Sequence, residues 1–132
     1  MSPKKILLAE DDADDQKFFY EFLKMRTDVI LLPVAENGEE IFDSLSNLSE
    51  ATNLPDLIVL DQNMPKRNGL QTLQRLKDSR NYKRIPVFIY STYADDALRQ
   101  QSMAAGATFV FSKPYTSEGY HAMINAMLNF LR

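Results

Sequence analysis

The stretch "ILLAEDDADD" (residues 6–15) sets Glu10, Asp11, Asp12, Asp14 and Asp15 directly behind a short apolar run. Two carboxylates about 4 Å apart repel by roughly 4 kcal/mol at an effective dielectric near 20, so such crowding calls for water, a helix end or a cation. Another acid, Asp61, closes the apolar run "DLIVLD"; Ser91 and Thr92 close "IPVFIYST", and Lys113 follows "TFVFS". Oxygen donors of this kind suit Mg²⁺, which keeps several waters and shares itself with a phosphate. Asp61 could then act as a metal ligand and also as a nucleophile toward phosphorus. Lys113 could pair with a carboxylate or a phosphoryl oxygen, and Ser91 could donate a hydrogen bond to another phosphoryl oxygen. Phosphoryl transfer asks mainly for an aligned attacker and compensated negative charge.

The periodicity of the chain shows what must hold these groups. Strands are expected at 5–9, 29–35, 56–61, 85–91 and 108–112, with Pro33 assigning the second to a sheet edge. Helices are expected over about 14–25, after the turn 36–38 with Ile41, Leu45 and Leu48 on one face, from Leu70 through Leu76, over about 95–104 with Gly106 as the stop, and over about 117–131. The segments 49–55 and 62–69 read as polar connectors. In the first helix Phe18, Phe19, Phe22 and Leu23 form the apolar stripe, and in the last the Met residues are assigned to the core. A strand–helix unit repeated five times implies an α/β fold, a parallel sheet covered by helices on both faces. Such sheets bind ligands beyond the carboxyl ends of their strands. Glu10, Asp11, Asp12, Asp61, Ser91, Thr92 and Lys113 all fall on that rim.

Bulk properties narrow the classes. The chain has 132 residues, enough for one domain with one core. It has no Cys and one His, which excludes disulfides, thiolate metal sites and multi-His sites. The formal charge of −3 gives no general basic footprint for nucleic acid. No apolar run is long enough to cross a bilayer, and "MSPKK" leads into a strand with no signal-peptide core, so a cytoplasmic location is expected.

Plainer roles compete for some of the acids. Asp14 and Asp15 are assigned to a helix N-terminus, where each negative charge is stabilising by about 0.3–1 kcal/mol. Glu10 and Asp11 are assigned to metal, and Asp12 stays open, since a shift of one residue would make it the ligand. An EF-hand fails, because neither a sixth-position Gly nor a twelfth-position Glu follows Asp11 or Asp12. His121 reads as a surface helix residue.

The segments "ILLAEDD", "ENGEE", "DLIVLDQNMPKRNG", "PVFIYST" and "GATFVFSKPY", in this order, resemble the receiver domain of bacterial two-component response regulators, of the chemotaxis-type single-domain kind. The resemblance covers about residues 4–130. It implies a (βα)5 flavodoxin-like fold with strand order 2-1-3-4-5 and a single receiver domain over 1–132 without an output domain. It makes Asp61 the acceptor of a phosphoryl group from a kinase phosphohistidine, and Glu10 and Asp11 the acid pair that holds Mg²⁺. It gives Asn63 the backbone carbonyl that completes the metal shell, Ser91 the switch hydroxyl in preference to Thr92, and Lys113 the phosphate-pairing lysine. It also implies a cis Lys113–Pro114 bond. One departure stands out: the position usually held by a switch Tyr or Phe is Val110.

The implied role is a signalling switch rather than an enzyme. The implied partners are a sensor histidine kinase or phosphotransfer protein and a downstream protein target, met through the fourth helix, fifth strand and last helix. Neither nucleic acid nor membrane is expected, and the chain would be a monomer or weak homodimer. A phosphatase of the dehalogenase-like kind would need a second Asp two residues past Asp61, and Asn63 there cannot protonate a leaving group. A flavodoxin-like FMN carrier would need a hydroxyl-rich phosphate loop after the first strand, where this chain has acids.

Overall fold

The apolar runs form strands and each is followed by a helix: β1 (Lys4–Ala9), α1 (Ala13–Leu23), β2 (Val29–Leu31), α2 (Glu40–Asn47), β3 (Leu57–Asp61), α3 (Gly69–Asp78), β4 (Val87–Ser91), α4 (Asp96–Ala104), β5 (Phe109–Ser112) and α5 (Ser117–Phe130). This computed structural model describes residues 2–48 and 51–132. The strands pair in parallel, in the order β2-β1-β3-β4-β5. The fold is therefore the expected α/β, flavodoxin-like one.

Successive side chains of a strand point to opposite faces, and this splits the core into two layers. Leu7 and Ala9 of β1, Ile58 and Leu60 of β3, and Val87 and Ile89 of β4 pack with Ile41, Leu45, Leu73, Leu76 and Leu98 from α2, α3 and α4. Ile6 and Leu8, Leu57 and Val59, and Phe88 and Tyr90 pack with Phe19, Leu23, Tyr120, Met123, Ile124 and Met127 from α1 and α5. All five residues of β3 and of β4 are buried, as central strands of a doubly covered sheet should be.

Side-chain caps fix the starts of α1, α3, α4 and α5. Asp12 accepts from the Asp15 N–H at 2.8 Å, and Asp95 accepts from the Leu98 N–H at 2.9 Å. Asn68 and Gln71 form a reciprocal capping box at the start of α3. Asn68→Ala is therefore expected to lower stability by about 1 kcal/mol, read from the urea midpoint. Gly106 follows α4 with φ 106°, a conformation that favours glycine.

Some elements differ from expectation. The second strand spans Val29–Leu31 rather than 29–35: the Leu32 N–H still donates to the Ile6 carbonyl at 2.9 Å, but the chain slips by one residue around Pro33, so Ala35 rather than Val34 donates to Leu8 and pairing resumes only at an isolated bridge between Ala9 and Ala35. Its edge position is as expected. The fourth strand begins after Pro86, at Val87. Phe18 is not core: it is 45% exposed and stacks on Phe22, while Phe19 and Leu23 fill the buried side of α1. In the connector 49–55, Ser49 and Glu50 lie outside the described residues, and a short 3₁₀ turn covers Ala51–Asn53.

Candidate functional site

Continuing the same alternation past the strand ends places Glu10 behind Ile6 and Leu8, Asp61 behind Leu57 and Val59, and Lys113 behind Phe111. All three thus belong to the face covered by α1 and α5, and they meet. Lys113 Nζ lies 2.9 Å from Glu10 Oε1, 3.3 Å from Asp61 Oδ1 and 2.8 Å from Asp15 Oδ2. Glu10 is fully buried and Asp61 is 2% exposed. Asp11, itself exposed, completes a cluster in which one carboxylate oxygen each from Glu10, Asp11 and Asp61 lies within 4.8 Å of the others.

One lysine does not compensate these acids. Burial, then the neighbouring Glu10 carboxylate, pushes Asp61 up from 3.8 to about 8, against the opposing pull of Lys113 and of the Asn63 N–H. Burial disfavours the charged Lys113, but its bonds to Asp15 and Glu10 and the charge of Asp61 outweigh that and hold it above the ordinary lysine range. A site of hard oxygen donors with excess negative charge, open on the rim through Asp11, fits a divalent cation.

The other assigned residues fall out differently. Asp12 is the cap of α1, and its side chain accepts from the Asp15 N–H. Asp15 does more than favour the helix end, since it shares Lys113 with Glu10. No local spacing signals this pair, which joins residues 98 positions apart. Asn63 is exposed, and its backbone N–H donates to Asp61 Oδ1 at 3.2 Å. Ser91 is buried at the end of β4, but its hydroxyl is engaged with the backbone of exposed Tyr93, accepting from the N–H at 3.2 Å. It thus stands on the rim without joining the carboxylate cluster. The Lys113–Pro114 bond is trans, not cis: no cis peptide occurs among the described residues. Trans is favoured by about 0.5–1 kcal/mol before proline, and Lys113 reaches its three acids in that form.

Val110, at the place expected for an aromatic switch, is buried, and its carbonyl accepts from Arg99 Nη1 at 2.7 Å. Arg99 Nε also donates to the Ala94 carbonyl at 3.1 Å, so this arginine ties the loop after β4 to β5. His121 is half-buried, with Nδ1 3.3 Å from Arg26 Nη1. One member of the site was missed altogether. Tyr90, fully buried, donates its hydroxyl to Glu10 Oε1 at 2.5 Å. Burial, with Glu10 beside it, raises the phenol well above its usual range and keeps it a donor. A tyrosine inside "VFIYS" reads only as core.

A model of the response regulator receiver domain matches residues 6–125. The chain belongs to this family. Among curated relatives, this receiver is 37% identical over 92 residues to response regulator Rcp1 of Synechocystis sp., a match covering 68% of the chain and 63% of Rcp1. It is 34% identical over 96 residues to the nitrate/nitrite response regulator NarL of Escherichia coli, covering 73% of the chain and 42% of NarL. The receiver thus spans less than two thirds of the length of these relatives. Its fold superposes on the Mn²⁺-bound form of Rcp1 with TM-score 0.78 at 30% identity, covering 97% of this chain and 94% of that one. It also matches the phosphorylated cyanobacterial phytochrome response regulator RcpA with TM-score 0.80 at 27% identity, covering 98% and 94%. The protein is a receiver of two-component signalling, and its acid cluster suits a divalent metal as the family's does. No helix among the described residues is long and apolar enough to cross a membrane.

Proposed function

We propose that this receiver takes a phosphoryl group from the phosphohistidine of a sensor kinase or phosphotransfer protein onto a carboxylate oxygen of Asp61. The P–N bond to the donor histidine breaks as the P–O bond to Asp61 forms. The observation that carries this reading is a nearly buried carboxylate at a strand end, raised to about 8, with two acids and a lysine around it. Glu10, Asp11 and Asp61, with the Asn63 carbonyl, would hold Mg²⁺, which when bound supplies the positive charge that lets these oxygens and a phosphoryl group share one pocket. Lys113 pairs with one phosphoryl oxygen. Ser91 gives up its Tyr93 contact and donates to another.

The result is a switch that turns over no external substrate. The added charge favours the arrangement in which Ser91 and Lys113 face Asp61. Only that difference in contacts between two states can shift the population. Ser91, the loop held by Arg99, and β5 lie in sequence along the path to the face of α4, β5 and α5. A downstream protein is proposed to bind there, in the cytoplasm. That the relatives include a Mn²⁺-bound and a phosphorylated response regulator supports the reading.

The test is incubation with acetyl phosphate in Mg²⁺ or in EDTA, followed by reductive trapping and peptide mapping. A Mg²⁺-dependent acyl phosphate on Asp61 is the expected outcome. A phosphorylated peptide that excludes Asp61 would remove the assignment.

A further inference from the structure

We propose that Tyr90 is a positioning residue for the cation site, holding the Glu10 carboxylate in the orientation it must share with Asp11 and Asp61. This rests on the reading of the acid cluster given above. The strands β1 and β4 are not neighbours, since β3 lies between them. Two strand spacings are about 9.6 Å, a span that Glu10 alone leaves open. The phenol closes it over the top of β3, with its hydroxyl 2.5 Å from Glu10 Oε1. In the β3–β4 register, Tyr90 stands opposite Asp61, so the ring forms the floor of the acceptor site.

The ring itself is immobilised. It packs edge-on against Phe19 of α1 at 6.0 Å and 83°, and Phe19 packs in turn against Tyr120 of α5 at 5.8 Å and 84°. Lys113 Nζ stands 5.0 Å from the ring centroid, so the ring also braces the ammonium that bridges the acids. Glu10 thus has Oε1 fixed by Tyr90 and Lys113, and Oε2 accepts from the Asp12 N–H at 3.2 Å. A glutamate has one more rotatable bond than an aspartate, and without these bonds its carboxylate would have to be ordered by the arriving ion. Partners of this outer kind typically change metal affinity by about 10–100-fold when removed.

Calorimetric titration of MgCl₂ into wild type, Tyr90→Phe and Tyr120→Phe tests the assignment. Tyr120→Phe removes a phenol from the same aromatic group without touching Glu10. In Tyr90→Phe the Mg²⁺ Kd is expected to rise about tenfold. The Mg²⁺ concentration for half-maximal phosphorylation should rise with it, while the rate at saturating Mg²⁺ stays within about twofold. Tyr120→Phe should bind as wild type does. An unchanged Kd in a folded Tyr90→Phe would overturn the assignment and leave Tyr90 as a satisfied core residue. A wild type that binds no Mg²⁺ would overturn the reading of the acid cluster along with it. In wild type, the Tyr90 hydroxyl proton should exchange slowly with and without Mg²⁺. Fast exchange on adding Mg²⁺ would mean the phenol lets go of Glu10, and would also overturn the assignment.

Discussion

Asp61→Asn is expected to abolish acyl phosphate formation while raising the melting temperature of the cation-free protein. The first effect follows from chemistry, since an amide is not a nucleophile toward phosphorus at neutral pH. The second follows from charge. Asp61 is 2% exposed beside buried Glu10, and its carboxyl is held at about 8 against 3.8 in the unfolded chain. Between those values the folded state binds the extra proton, so this group's contribution to stability falls as pH rises from about 4 and levels off above 8. Asparagine removes that penalty and keeps a carbonyl oxygen for Lys113. The gain should be at least about 1 kcal/mol, or about 3–5 °C in Tm. It should widen from pH 5 to pH 8. Adding Mg²⁺ should reverse the order of the two proteins, because only wild type keeps the full ligand set. Equal melting temperatures at pH 5 and pH 8 would show that Asp61 carries no such burden.

Lys113→Met should have the opposite sign. It removes the ammonium shared by Glu10, Asp15 and Asp61, and it keeps most of the apolar stem. Breaking a buried pair from one side leaves uncompensated charge, and the loss should be about 3 kcal/mol at pH 8. At pH 6 the loss should shrink, because Asp61 then holds a proton and the cluster carries one less negative charge. Mg²⁺ should restore part of the lost stability in this variant and more of it than in wild type, since the cation takes over the missing positive charge. Denaturant midpoints at the two pH values, with and without Mg²⁺, check all three statements. A loss that is the same at both pH values and insensitive to Mg²⁺ would mean that Lys113 acts through packing alone.

The order of strands and helices, the rim that gathers Glu10, Asp11, Asp61, Ser91 and Lys113, and the family itself were legible from residue order. Apolar periodicity is a local property, and a strand–helix alternation leaves a parallel sheet as its main solution. Residue type at strand ends then dictates hard-oxygen chemistry, whatever the packing. The partners within the rim were not legible. Asp15 joins Lys113 only because the lysine side chain, leaving the end of β5, reaches the first turn of α1. The Ser91 hydroxyl turns back to its own loop, and the peptide before Pro114 stays trans, because local geometry satisfies both. Tyr90 reaches Glu10 across an intervening strand, a contact between residues eighty positions apart. Sequence sets which groups arrive at the sheet's carboxyl edge, through short-range periodicity. Which of them touch depends on side-chain reach across several strands, and distance in space is not encoded in distance along the chain.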